Sequence, residues 1–288
     1  MRPILFQIPE GFPIIGGAEV QSFGILLFFS FIAAGVVARH ELNRLGEDGE
    51  RMSDLVFWAL VGGIVGGKLY FVLANPPQSG GRGLSALFSG TGFTWYGGFI
   101  LATLMVWIYM RRTRLPVGKT FDAIAMGMPI GILVGRFGCF LAGDDYGRPT
   151  GSWAGVAFPE GAPPTTVTVL RDRFGVEIDP ALVARFGEVI PVHPTQLYEM
   201  VTSLVIFVLL LRLRHVPHRP GWMFGAWMGL YAVNRFLLEI VRLKSDRFLF
   251  GTFTQAQVIS AVLLGVSVWM VTQLRARPGA TGGTARAA

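Results

Sequence analysis

The sequence is short of charge, of cysteine and of histidine. Only 15% of its 288 residues are charged while 52% are hydrophobic, whereas soluble domains carry about 25% charged residues. With a mean hydropathy of +0.52, the chain holds more apolar surface than one or two soluble cores could hide. That excludes an ordinary soluble enzyme and a disordered chain. The single cysteine, Cys139, excludes an intramolecular disulfide and with it a disulfide scaffold. There is no metal-ligand cluster and no Ser-His-Asp set. Gly66-Gly67-Lys68 is not a phosphate loop, because Leu69 follows where Ser or Thr is needed. No metal and no cofactor are therefore expected. Lysine is scarce too, with three against 22 arginines in a net charge of +7. These cations are scattered between apolar runs rather than gathered in a stripe, which argues against a nucleic-acid partner.

What is present is a series of apolar runs. A membrane span needs about 20 mostly apolar residues, and seven candidates emerge: 22–38, 54–74, 96–110, 120–142, 198–213, 222–241 and 252–274. The third and fifth are short and must begin earlier or stand nearly upright. Residues 1–17 carry Pro3, Pro9, Glu10 and Pro13, which break up any signal-peptide core; residues 3–17 are expected at the membrane interface. Thirteen Arg and Lys residues fall on one side of the seven spans and nine on the other, four of those in one long loop where they count for less. The bias puts the N-terminus outside and the C-terminus in the cytoplasm. The long loop, 143–194, contains segments 152–158 and 165–170, rich in Val, Thr and aromatic residues, which read as short strands. The expected fold is thus an all-α polytopic membrane protein of seven transmembrane helices with a small extracytoplasmic α+β head between helices 4 and 5. Its parts would be helices 1–4 (1–142), the head (143–194), helices 5–7 (195–274) and a disordered cytoplasmic tail (275–288). Gly62 and Gly66, Gly63 and Gly67, and Gly127, Gly131 and Gly135 recur every four residues and predict close helix packing.

Four charges, Lys68, Arg136, Arg235 and Glu239, fall inside predicted spans. Each costs about 2.5–3.5 kcal/mol at mid-bilayer, so a reason for them is needed. Arg235 and Glu239 stand four apart on one helix and can form a structural pair. That leaves Arg136 and Lys68 without carboxylate partners in the spans and favours an anion-binding polar cavity. Tyr231, Arg235 and Glu239 share one helix face. Arg136 opens the run Arg136-Phe-Gly-Cys-Phe-Leu-Ala-Gly-Asp-Asp-Tyr-Gly-Arg148, which leaves a span and enters the head. A guanidinium fork suits a pair of phosphate oxygens, so two such groups read as a clamp on a lipid phosphate. Where the head re-enters, His193-Pro-Thr-Gln-Leu-Tyr-Glu199 supplies a helix start, with Glu199 favourably placed against the helix dipole. His193 is either a surface residue beside that cap or a proton acceptor near neutral pH.

These three motifs resemble those of the bacterial prolipoprotein diacylglyceryl transferase family. Arg136-x-Gly-x-Phe-x-x-Gly-Asp-x-x-Gly-Arg148 is similar to the family signature. His193-Pro-Thr-Gln-Leu-Tyr-Glu199 is similar to its HPSQLYE segment, and Tyr231-x-x-x-Arg235-Phe-x-x-Glu239-x-x-Arg242 to its third motif. The resemblance implies transfer of the diacylglyceryl group of phosphatidylglycerol to the lipobox cysteine of a preprolipoprotein, with release of glycerol 1-phosphate, in the bacterial inner membrane. The implied partners are phosphatidylglycerol, the preprolipoprotein signal peptide and the lipid bilayer. By the match, Arg136 would bind the lipid phosphate, and Arg235, oriented by Tyr231 and Glu239, would assist the leaving group. His193 would take the thiol proton or only hold its loop. Lys68, Asp144, Arg148, Gln196, Tyr198 and Glu199 would complete the substrate-binding set. The chain departs from the pattern at Cys139 and Ala142, where the family commonly has Asn, at Asp144, where it has Glu, and near Lys68, where an Arg is usual. It also has Tyr96-Gly97-Gly98 where the family has a His-Gly-Gly motif assigned to catalysis. Tyr96 keeps a hydroxyl at that catalytic position, though a phenol with a pKa near 10 is a poorer base. These departures leave open a related transferase with another donor or acceptor, and a lipid-binding or transport protein without chemistry.

Overall fold

The computed structural model of the chain describes residues 3–7, 9, 19–74, 94–243, 247–249 and 253–275. Most of the predicted interfacial stretch 3–17 and, beyond Arg275, the predicted tail lie outside them. Seven long helices account for most of the rest: α1 (Ser22–Arg44), α2 (Glu50–Ala74), α3 (Trp95–Thr113), α4 (Val117–Ala142), then, after two short helices α5 (Val167–Phe174) and α6 (Pro180–Phe186), α7 (Thr195–Leu213), α8 (Trp222–Val241) and α9 (Gln255–Gln273). Two antiparallel pairs complete the described elements: β1 (Ile4–Gln7) with β2 (Glu19–Gln21), and β3 (Arg247–Leu249) with β4 (Phe253–Thr254).

Five of the helices, α1, α2, α4, α7 and α9, are long and apolar enough to cross a membrane. Their outward faces carry large apolar side chains such as Phe28, Leu73, Val201 and Trp269, a surface that lipid can cover and water cannot. The chain is a polytopic membrane protein. α3 and α8 approach the five in length, at 19 and 20 residues, but are not among them. In α8, Asn234, Arg235 and Glu239 interrupt the apolar run. The helix starts that the sequence left short lie earlier, at Trp95 for α3 and Thr195 for α7.

Small residues set the close contacts. Gly127 and Gly131 on α4 lie against Ala34 and Ser30 of α1, and a Cβ on Gly127 would overlap the Ala34 carbonyl oxygen. Gly62 and Gly66 on α2 meet Ala102, Leu101 and Gly97 on α3 in the same way. Gly127→Val is expected to destabilise the bundle by about 1–3 kcal/mol through overpacking, read as a lower thermal midpoint in detergent. Gly63→Ala is the control, because a Cβ there meets open space.

At one end of the bundle, Leu42, Met52, Leu55, Met110 and Ala123 join α1 to α4 in a single apolar cluster. At that end, too, the buried carboxylate of Asp122 on α4 accepts hydrogen bonds from the backbone N–H groups of Gly221 (2.7 Å) and Phe224 (3.0 Å), capping α8 from a neighbouring helix.

Between α4 and α7 the chain forms a small unit around buried Tyr146, Phe158, Leu170, Ile190 and Val192, with Leu243 from beyond α8. It contains helices where strands were expected. Thr166 accepts a hydrogen bond from Val169 N–H, and Gly175, in a left-handed conformation, closes the helix, so 165–170 opens α5 rather than a strand. Segment 152–158 turns tightly at Ser152–Gly155 and makes one bridge, Val156 to Val192, in place of a ladder. The sequence there has the β-like alternation but also the capping chemistry, and the cap prevails.

Candidate active site

The unit just described is stitched to the bundle by backbone hydrogen bonds. Gly147 N–H donates to the His193 carbonyl, His193 N–H to Arg148, and Arg148 N–H to Val241 at the end of α8. These bonds hold the loop after α4, the start of α7 and the end of α8 together, and the three motifs found in the sequence meet there.

Arg136 is at the centre. Its Nε lies 2.8 Å from Glu199 Oε2 on α7, and its Nη1 3.0 Å from Asp145 Oδ2 in the loop after α4. Its predicted isolation is therefore corrected: Arg136 has two carboxylate partners. Glu199 is 1% exposed, one turn inside α7, and acts as a buried counterion rather than a dipole-matched residue of a helix end. Tyr231 donates to Glu199 Oε1 at 3.4 Å and stacks on Trp227. One turn further along α8, Arg235 Nη1 and Glu239 Oε2 are 2.8 Å apart. The approach is off the N–H axis, so it is an ionic contact rather than an aligned hydrogen bond. Tyr231 thus stands between the two arginines: its hydroxyl meets Glu199, the partner of Arg136, and Arg235 follows one turn along the same helix.

Asp145 was not singled out from the sequence. Its second oxygen, Oδ1, is 2.9 Å from Arg242 Nη2, so one carboxylate spans two guanidinium groups. Burial alone would push its pKa up; Arg242 and Arg136 outweigh that and hold it below its ordinary value. Beside it lies a cavity of about 280 Å³ lined by Cys139, Asp144, Asp145, Arg173 and Arg242 among others.

The remaining predicted residues divide in two. Gln196 donates from Nε2 to the Asp144 carbonyl at 2.5 Å, and Thr195 from Oγ1 to the Asp145 carbonyl at 2.6 Å. The Thr-Gln pair of the second motif thus grips the loop backbone. His193 Nδ1 is 3.1 Å from the Tyr198 hydroxyl, and burial lowers the pKa of this histidine, keeping it neutral at pH 7. Arg148 is exposed, with Nε 3.4 Å from the Arg242 carbonyl. Lys68 and Tyr96 belong instead to the α2–α3 pair. Lys68 is buried and Tyr96 is 59% exposed, and neither enters the ion pairs around Arg136. Cys139, Asp144 and Asp145 place their ligand atoms within 4.8 Å of one another. Arg136 and Arg242 already neutralise Asp145, so this trio is a poor cation site.

Comparison with known proteins places the whole chain. Residues 9–273 match the family model described as prolipoprotein diacylglyceryl transferase. The chain is 29% identical over 281 residues to the phosphatidylglycerol–prolipoprotein diacylglyceryl transferase of Nitratidesulfovibrio vulgaris, covering 94% of this chain and 95% of that protein. It is 28% identical to the enzyme of that name from Xanthomonas euvesicatoria (92% and 90% covered) and 27% identical to that from Chlorobaculum tepidum (93% and 90%). A match over nearly the whole length, with Arg136, Glu199 and Arg235 folded into one junction, leaves one conclusion: the chain belongs to the prolipoprotein diacylglyceryl transferase family.

Proposed function

We propose that this protein transfers the diacylglyceryl group of phosphatidylglycerol to the lipobox cysteine thiol of preprolipoproteins, releasing glycerol 1-phosphate. The observation that carries the reading is the cluster in which Arg136, Glu199 and Tyr231 tie α4, α7 and α8 together, with the Arg235–Glu239 pair one turn along α8. In the reaction the cysteine sulfur attacks a glyceryl carbon, the bond from that carbon to the phosphate oxygen breaks, and the thiol proton leaves. Negative charge grows on the departing phosphate, and preorganised cations lower that barrier. Arg136 offers the edge not used by Glu199 and Asp145, its Nη2 group. Arg235, held at Nη1 by Glu239, offers its Nε and Nη2 groups. Glu199 and Tyr231 hold Arg136, and Glu239 holds Arg235. The cavity beside Asp144 and Asp145 suits a polar headgroup, with Lys68, Arg148 and Tyr198 in the donor-binding set and Tyr96 presenting its hydroxyl at the position of the family's catalytic His. His193, neutral at pH 7, accepts the thiol proton through Nε2.

The same reading places seven spans in the bacterial inner membrane, the N-terminus and the 143–194 head outside and the C-terminus in the cytoplasm, in keeping with the bias of Arg and Lys across the loops.

The direct test incubates purified protein with phosphatidylglycerol vesicles and a lipobox peptide. Peptide gaining a diacylglyceryl mass, with equimolar glycerol phosphate, is the expected result; release of neither means no such transfer occurs. The rate is expected to fall on the acid side as His193 protonates, below the ordinary histidine value near 6.5. His193→Gln is expected to lower the rate and flatten that limb. An unchanged limb in the variant would assign the titration elsewhere.

A further inference from the structure

The backbone around Asp145 is built to deliver its carboxylate to one place. Asp145 adopts a left-handed conformation, φ 57°, which side chains other than Gly, Asn and Asp rarely accept. Its carbonyl is held by the Thr195 hydroxyl at 2.6 Å and that of Asp144 by Gln196 at 2.5 Å. The loop is tied on either side, at Asp144 N–H to the Cys139 carbonyl and at Gly147 N–H to the His193 carbonyl. A side chain that merely filled space would need none of this. The carboxylate then meets Arg136 Nη1 at 3.0 Å and Arg242 Nη2 at 2.9 Å, on the edge of the cavity.

We propose that Asp145 is a positioning residue that fixes the guanidinium groups of Arg136 and Arg242 side by side at the cavity, making Arg242 a third member of the anion site. This rests on the transferase reading above. Two like charges held this close repel each other and would swing apart without the anion between them. With it, the remaining N–H groups of both are presented at fixed angles to an incoming phosphate. The Thr195–Gln196 grip is part of the same device, because it holds the backbone from which the carboxylate projects. A fixed anion between the two cations leaves the site less positive overall, so it binds a phosphate through direction rather than through excess charge.

The test measures initial rates against phosphatidylglycerol in mixed micelles at saturating lipobox peptide, for the wild type, Asp145→Asn, Arg242→Gln and the double variant, each with its thermal midpoint. Asp145→Asn keeps the shape and removes the charge. A rise of about tenfold in KM for the lipid, the size expected for losing a charge-assisted contact, with kcat little changed, is the expected result. Arg242→Gln should give a similar rise, and the double variant should be no worse than the poorer single one, since both remove one device. A folded Asp145→Asn protein with wild-type KM overturns the proposal. So does a lower KM, which would mean that the carboxylate only occupies the place of the phosphate, and so does strict additivity in the double variant. If Asp145→Asn does not fold, Arg242→Gln decides alone: a tenfold rise in KM supports the device, and an unchanged KM sinks it. Failure of the transferase reading looks different, because the wild type would then release no glycerol phosphate at all.

Discussion

Arg136→Ala is expected to cut the transfer rate by about 10²–10³-fold, the usual cost of removing one preorganised group from a developing charge. It is also expected to weaken the fold, which the sequence did not foresee. Glu199 is 1% exposed and Asp145 sits at the same guanidinium. Removing Arg136 leaves buried carboxylate without its counterion, at a cost of about 3–5 kcal/mol. The two effects separate in the double variant Arg136→Ala, Glu199→Gln. It should regain much of the thermal stability in detergent, because the buried uncompensated charge is gone, while the transfer rate stays at the level of the single variant. Near-normal transfer by a folded Arg136→Ala protein would show that the donor phosphate is held elsewhere.

The second large effect is expected at Arg235. Arg235→Ala should lower kcat about as much, with less change in KM for the lipid, since the group is assigned to charge that appears only as the phosphate departs. Arg235→Lys keeps the charge but loses the fork, and is expected to recover only part of the rate. Because Glu239 is buried and paired with Arg235 at 2.8 Å, Glu239→Gln belongs beside Arg235→Ala as the stability control. A pure rise in KM in Arg235→Ala would move this residue from the leaving group to ground-state binding.

Much of the site was legible because charge in an apolar run is conspicuous. Arg136, Arg235 and Glu239 stood out against their neighbours, and the spacing of Tyr231, Arg235 and Glu239 put them on one face, as found. The partners of Arg136 were harder to see. Glu199 sits so near a helix start that a dipole contact explained it, and only the packing of α4 on α7 brings it to Arg136. Asp145 stands in a loop otherwise rich in ordinary surface acids. Its left-handed backbone and its hold on Arg242, 97 positions further along, are tertiary facts with no local signature. The long helices follow the apolar runs in order, since such runs dominate any local preference, and five of them are long and apolar enough to cross a membrane; the short α5 and α6 had no such signal. The 165–170 segment was misread as a strand because alternating Val and Thr residues outweighed the capping role of Thr166.

The Asp122 cap has a consequence far from itself. Arg136 lies fourteen residues beyond Asp122 on α4, and Arg235 fourteen beyond Gly221 at the foot of α8. At 1.5 Å per residue, both are raised about 21 Å above a common pin. Two helices pinned at one point carry their guanidinium groups the same number of residues away from it. On the proposed reading, the depth at which a headgroup is gripped from both sides is governed from the opposite end of the bundle, by the Asp122 carboxylate.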